Sequence, residues 1–272
     1  MSQLIVDEDL FDELLEKATP PEYEVLLEGY GLSQDEEEYF YAIMLVLEGA
    51  VQVVKDWLLS DDAADYFAEE DLPVDFFDEV EWKIRRKMSQ DFELLILPVL
   101  WNFFMEGINF ASVDLNILPE VTDTLLLTFA SIKHDNYNQL INIMNDVVIS
   151  LKDKVYSGIN DGLDIGEIID TFEINDLKGK SKFTPQTRAE MTARTEHTDI
   201  ISRASASTYI DNDVVWVDIV TAGDNRVCAI CKELEYGNPY LLEKLIEEDM
   251  IPPFHSRCRC KLRVAEPPNE TT

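Results

Sequence analysis

Two stretches decide how the C-terminal part of this chain folds: VWVDIVTAGDNRVCAICKEL, residues 215–234, and IPPFHSRCRC, residues 251–260. The first opens with β-branched and aromatic residues, which favour a strand from Val214 to Thr221. Together the stretches contain five side chains that can bind a metal: Cys228, Cys231, His255, Cys258 and Cys260. All four cysteines of the 272-residue chain fall here, and such confinement indicates a local metal site rather than a disulfide scaffold.

The spacing of these donors suits zinc. Two thiolates separated by two residues can converge on one tetrahedral ion, and a second turn that brings thiolates or imidazole closes the shell. Cys258 and Cys260 are only two positions apart, so in a regular strand they would point to opposite faces. Either the chain turns at Arg259, or His255 replaces one of them. The preferred set is the four cysteines, with His255 as first alternate or as a residue that orients the ligands.

Four thiolates predict a structural zinc rather than a catalytic one, because a closed shell leaves no position for water. Reduced thiols in a compact core, or disulfides formed in an oxidising medium, remain alternatives that composition does not separate. A base deaminase needs His-x-Glu ahead of Pro-Cys-x-x-Cys. The order of residues here does not provide that signature.

A long helix is predicted ahead of the cysteines. Thr184 is a good N-cap and Pro185 suits the first helical position, so we expect a helix to about Tyr209. Residues 173–183 carry Gly179 and three lysines without apolar periodicity, which is typical of a flexible linker. The predicted divisions are therefore a helical domain, a linker, a domain that holds the cysteines and a disordered tail, at 1–172, 173–183, 184–264 and 265–272.

The N-terminal part is acidic and helical. The chain holds 55 Asp and Glu against 22 Lys and Arg, for a net charge of −33. Apolar residues follow helical spacing and mark one face of a helix at Leu140, Ile143, Met144, Val147, Val148 and Leu151. The fold class is thus mainly α, or α+β if the small C-terminal part is counted. The predicted helices cover 7–17, 22–30, 35–59, 62–70, 75–108 with a kink at Pro98, 119–132 and 135–157.

Composition excludes some classes of protein. A field this negative repels phosphates, so a whole-chain binder of duplex DNA is excluded. The start of the chain has no basic, apolar pattern of a signal peptide. The most apolar segment, 94–105, is shorter than the ~20 residues that span a bilayer, so it predicts a buried helix. We expect synthesis in a reducing host cytoplasm.

Three motifs in order resemble the Mu F-like head-morphogenesis family, the minor head proteins of tailed bacteriophages and prophages. The first is Ala193-Arg194-Thr195-Glu196 on the predicted helix, and the others are the two stretches quoted above. The resemblance covers roughly residues 184–263. It departs from the family's pattern at Ser256, where a proline often follows the histidine.

The resemblance implies a virion component, present in few copies in the phage head interior or at the portal vertex. It implies a role in head assembly and in genome ejection, with the portal or the major capsid protein as partner. It implies no enzyme activity. That no segment spans a membrane is expected from the short apolar segment and not from the resemblance. It says nothing of the fold of the N-terminal part.

Two other functions compete with this one. An enzyme of ADP-ribosyl transfer would use Arg194 and Glu196, because some proteins with this family's domain have been likened to such toxins. The structural alternative is an ordinary ion pair of Arg194 with Glu190 or Asp224. The sequence also has no Glu-x-Glu motif and no identifiable aromatic residue for nicotinamide to stack on.

The second competing function is a zinc-dependent nucleic-acid-binding module. Its contact with packaged DNA would use a cluster of basic residues: Arg226, Arg257, Arg259, Lys261 and Arg263. That cluster could instead meet the acidic surface of a neighbouring protein or of the chain's own N-terminal domain. We favour the N-terminal domain, because it needs no extra partner.

Overall fold

A computed structural model of the chain describes residues 31–61, 63 and 75–268. The helices predicted at 7–17 and 22–30 lie outside these residues, as does 62–70 apart from residue 63. The described elements follow this order: α1 Gln34–Leu58, α2 Asp78–Asp91, a π-helical turn Phe92–Ile96, α3 Leu97–Leu115, α4 Asp123–Asn160, α5 Ile165–Asp170, a 3₁₀ turn Ile174–Asp176, α6 Pro185–Asp211, β1 Trp216–Val220, α7 Ala229–Tyr236, β2 Tyr240–Leu241, α8 Leu242–Glu247 and β3 Lys261–Val264. The mainly α fold with a small sheet is confirmed.

The irregularity expected at Pro98 lies in the turn just before it. Proline has no N–H to donate to the carbonyl four residues earlier, and its ring clashes with that carbonyl. The chain responds with a π-helical turn, in which the Leu97 N–H donates to the carbonyl of Phe92, five residues back. Helix geometry resumes through α3.

The break predicted between 132 and 135 was wrong, because α4 is continuous. Thr122 provides its start, where the hydroxyl accepts from the Leu125 N–H at 3.2 Å. Ile132 is fully buried, and the Asn136 side chain donates to its carbonyl at 3.0 Å. Burial and local hydrogen bonding therefore carry the helix through the polar residues that suggested a loop.

The described residues fall into two compact units. Unit 1 takes in the part up to Pro98 together with Tyr137–Glu190, and unit 2 takes in Val99–Asn136 and the part from Met191 onward. In unit 1, α1 begins with a capping box between Ser33 and Glu36 and buries its apolar face. The helical face predicted in α4 is confirmed, since all its members are buried: Leu140, Ile143, Met144, Val147, Val148 and Leu151.

Unit 2 contains the sheet, in the order β2-β1-β3 with both pairings antiparallel. The alternation expected of a half-buried strand is present in β1, where Val217 and Ile219 are fully buried. They share one core with residues of α3, α6, α8 and β3 and with three of the cysteines: Ala111, Ala206, Tyr209, Leu242, Leu245, Leu262, Cys231, Cys258 and Cys260. The cysteines are thus part of the core of this unit.

The stretch Asp78–Leu115 is long and apolar enough to cross a membrane by length and composition alone. However, 61% of its most apolar window is buried within the protein, which favours the buried helix expected from residues 94–105.

Candidate metal centre

The first cysteine pair lies at the start of a helix. Ahead of it, the Asp224 carboxylate accepts from the Arg226 N–H at 2.9 Å, which makes the turn predicted there. Cys228 is the N-cap of α7, and its sulfur accepts from the Cys231 N–H at 3.4 Å. That hydrogen bond lowers the pKa of Cys228. Because a helix N-terminus stabilises negative charge, this position favours a thiolate.

The second group, residues 255–260, is held by helix α6. The Thr195 hydroxyl accepts from the Arg257 N–H at 3.1 Å, and the Thr198 hydroxyl donates to the Cys258 carbonyl at 2.6 Å. Arg257 has a positive φ of 63°, so the chain reverses immediately before Cys258. The two threonines satisfy backbone groups of a segment that has no regular hydrogen bonding of its own.

An ion pair joins the two segments. The guanidinium of Arg259, which lies between two cysteines, donates to both carboxylate oxygens of Asp224 at 2.8 and 2.9 Å. A bidentate pair of this kind stabilises the contact and also fixes the orientation of the two side chains. The same contact, with the Arg226 N–H, holds the pKa of Asp224 well below its usual range.

The donor atoms meet in two groups that share one cysteine. Among the described residues, Cys228, Cys231 and His255 form one group, and Cys231, Cys258 and Cys260 form the other; within each, the ligand atoms lie within 4.8 Å of one another. The chain therefore does turn at Arg259, because the sulfurs on either side of it converge. His255 also lies at the site, so both arrangements foreseen from the spacing contribute. The preferred set of four cysteines stays a prediction.

Three distances between donor atoms are close to those of a tetrahedral site. The Nε2 atom of His255 lies 3.3 Å from the Cys228 sulfur and 3.2 Å from the Cys231 sulfur. The sulfurs of Cys231 and Cys258 are 3.9 Å apart. Tetrahedral Zn–S and Zn–N bonds of ordinary length place neighbouring ligand atoms about 3.6–3.8 Å apart. Shifts of a few tenths of an ångström would bring these atoms to bonding positions.

A cavity of about 30 Å³ lies among these side chains and is lined by Cys228, Cys231, His255 and Cys260, with neighbours from both segments. This volume accommodates a single water molecule or ion. The site has soft thiolates, one imidazole and space for one small ion, so the donor chemistry fits a metal such as zinc.

The histidine presents the correct atom. Its Nδ1 lies 2.8 Å from the carbonyl of Ser256, and a carbonyl can only accept, so Nδ1 carries the proton. That hydrogen bond raises the pKa of His255. The lone pair of the neutral ring is then on Nε2, which faces the sulfurs, and this is how protein histidines are commonly oriented for metals.

Burial and hydrogen bonding shift the pKa values of the thiols in opposite directions. Hydrogen bonds from the thiol and backbone N–H of Cys260 lower the pKa of Cys258 to about 5, whereas burial raises that of Cys231 to about 12. A bound cation would offset the penalty of burying negative sulfur, since thiolates are the metal-binding form.

The structure also places the other residues singled out in the sequence. Arg194 and Glu196 lie partly buried on α6, and both have interaction partners. Within unit 2, Lys261 contacts Glu106 at 3.6 Å and Arg263 contacts Asp114 at 3.8 Å. Two of the five basic residues thus meet carboxylates of α3, which lies within the predicted domain 1–172, whereas Arg259 pairs with Asp224.

Sequence reasoning missed the residues that hold the site in place. Thr195 and Thr198 are expected on a helix, Thr195 within the Ala-Arg-Thr-Glu motif, but no sequence signal indicates that they hold the second donor segment, and the partners on α3 were not recognised. A signal was present: Glu106, Phe110 and Asp114 recur at intervals of four along an apolar helix, and so form one stripe. Lys261 lies over the Phe110 ring, 5.3 Å from its centre, so this stripe faces β3.

Residues 150–263 match the family model described as Phage Mu protein F like protein. The match extends from α4 to β3 and includes both metal-donor segments and the helix that anchors the second. It confirms the resemblance for the C-terminal portion of the chain. No curated protein and no solved structure matches the chain.

Proposed function

We propose that this protein is a minor head protein of a tailed phage or prophage that acts in head assembly at or near the portal vertex. The observation that carries the proposal is the family match over residues 150–263, which spans every donor of the Cys/His site. The proposal extends to genome ejection, because DNA leaves the head through this vertex. The protein is made in the host cytoplasm and resides in the virion.

The Cys/His site is proposed to hold one zinc ion in a structural role. Four of the five donors bind it, and we place Cys231 among the four because it is the donor that lies in both groups. Cys231, Cys258 and Cys260 are at most 3% exposed, and a buried thiolate shell gives water little access. The zinc would supply the link between the two donor segments and the sheet. This supports a structural protein rather than an enzyme.

The first partner to test is a head protein, either the portal or the major capsid protein. A contact with packaged DNA through residues 184–264 is less favoured, since cations of this region already face carboxylates. Arg259 is paired with Asp224, and the partners of Lys261 and Arg263 are on α3. Phosphates would have to displace these contacts.

Deletion of the gene from its phage tests the role in assembly. The expected result is a loss of infectious, DNA-filled heads, counted by electron microscopy and plaque titre, and recovery when the wild-type gene is supplied in trans. Cys231→Ser should fail to restore them, because the C-terminal core loses its metal. Val113→Ser, at a side chain that is 80% exposed, should restore them fully.

The location is tested on purified particles. The protein should co-purify with heads and with isolated portal, at far fewer copies than the major capsid protein. Normal titre after deletion, together with its absence from purified heads, would contradict the proposal.

A further inference from the structure

Unit 2 has an open apolar groove on its surface. The groove has a volume of about 450 Å³ and is lined at the end of α6, in the turn after it and along α8 by Ile210, Asp213, Val214, Val215, Leu242, Glu243, Ile246 and Glu247. We call these residues the α8 groove. Its volume is in the range of sites that accept several large side chains.

A second depression of about 380 Å³ continues the groove, because Ile210 and Ile246 line both. The second also includes Leu127 and Ile251. Several of these apolar side chains face solvent: Leu127 is 74% exposed, Val215 57% and Ile210 46%. Exposed apolar residues that form a strip, rather than being scattered singly, indicate an interaction site.

The rim of the groove is negative. Asp213, Glu243 and Glu247 are the charged residues that line it; Lys244 is on the same short helix but is not part of the lining. In the adjoining depression Arg203 is engaged by Asp135 at 2.9 Å and Asp199 at 3.4 Å. An arriving segment therefore meets an apolar floor with a negative border.

Charge selects among the possible occupants. Residues 1–30 of this chain contain nine acidic residues and one lysine, and a second copy carries a net charge of −33. Both would be repelled by the rim, since like charges in juxtaposition oppose association. We propose that the α8 groove binds an amphipathic segment of another protein, with apolar anchors at helical spacing and flanking Lys or Arg residues. The inference does not depend on the proposed function.

A peptide-binding assay on the full chain tests the groove. The probe is a fluorescein-labelled peptide with leucine at every third or fourth position and lysines at its flanks, followed by fluorescence polarisation. Ile210→Ser with Ile246→Ser should weaken binding by about tenfold or more through loss of the floor. Glu243→Lys with Glu247→Lys should weaken it similarly at low salt and less at high salt, because salt screens the rim.

Matched controls separate the groove from the general acidity of the protein. Asp153→Lys with Asp170→Lys makes the same change of net charge at exposed positions of unit 1 and should leave most of the affinity. Val113→Ser is the control for the loss of an exposed apolar side chain. Circular dichroism and thermal unfolding establish that each variant is folded.

Three results would overturn the proposal. The groove variants and their controls could weaken binding equally. An unlabelled peptide of residues 1–30 could displace the probe, which would assign the groove to this chain's own segment. Sedimentation could reveal a dimer that Ile246→Ser dissociates, which would assign it to a second copy.

Discussion

Asp114 shows how one side chain joins three elements of unit 2. On α3, its Oδ2 accepts from the hydroxyl of Tyr209 on α6 at 2.9 Å and from the Val264 N–H of β3 at 2.6 Å. Tyr209 is fully buried, so its hydroxyl needs such a partner. Burial, with the hydrogen bond to this carboxylate, raises the pKa of Tyr209 far above its usual value.

Tyr209→Phe removes the hydroxyl and should lower the free energy of unfolding by about 1–2 kcal/mol at neutral pH. The effect should shrink as the pH rises above about 10, the usual tyrosine pKa. There the wild-type tyrosine ionises in the unfolded chain while it stays neutral in the folded one, which costs the wild type stability. Phenylalanine cannot ionise and has no such loss.

Urea unfolding of both proteins at neutral pH and at about pH 10.5 measures the difference in their free energies of unfolding. The higher pH lies just above the usual pKa of tyrosine, about 10. A stability gap that is unchanged or wider at the higher pH would contradict this account.

Single residues also show where sequence reasoning stops. The closeness of Cys228 and Cys231 could be predicted because their spacing alone limits the geometry, and the turn at Asp224 followed from its residue type. The roles of Thr195 and Thr198 depend on which loop packs against α6. That is a tertiary contact, and no local pattern specifies it.

Helices α3 and α6 approach closely within unit 2. A Cβ on Gly107 would lie 2.6 Å from the Ile201 carbonyl and 2.7 Å from the Ala204 side chain. The Ser205 hydroxyl donates to the Gly107 carbonyl at 3.0 Å. The crossing therefore depends on the absence of a side chain at position 107.

Gly107→Ala should lower the free energy of unfolding by about 1–3 kcal/mol, because overpacking outweighs the ~1 kcal/mol that alanine gains in helix propensity. Gly49→Ala is the matched control in α1. Its nearest neighbour would be the carboxylate end of Asp91 at 3.1 Å, and a side-chain end can move. The control should be close to neutral. Calorimetry of both variants measures these changes in stability. Equal destabilisation by Gly107→Ala and Gly49→Ala would contradict the close approach of α3 and α6.

Helices and strands could be predicted where the sequence pattern that specifies them is local. The buried face of α4 followed from apolar spacing, and the start of α6 from Thr184 and Pro185. The continuity of α4 through residues 133–134 did not, because burial of Ile132 overrides the polar sequence. The two-residue strand β2 could not be foreseen, since it exists only by pairing with β1.

The described acidic residues of unit 2 have separate local roles, although the net charge belongs to the whole molecule. Carboxylates of unit 2 pair with basic residues near the Cys/His site, and other carboxylates border the α8 groove. The division of the chain at residues 173–183 stays a prediction. The central claim is that the C-terminal part, which matches a phage head family, is built around one metal ion.

Zinc content is the most direct test of that claim. The protein is purified from the cytoplasm under reducing conditions without added metal, and zinc is measured by elemental analysis. We predict one zinc per chain, its loss in Cys231→Ser, and its retention in Ser256→Ala, because the backbone carbonyl of Ser256, and not its side chain, orients His255. A well-folded wild-type preparation with far less than one zinc per chain would contradict the account.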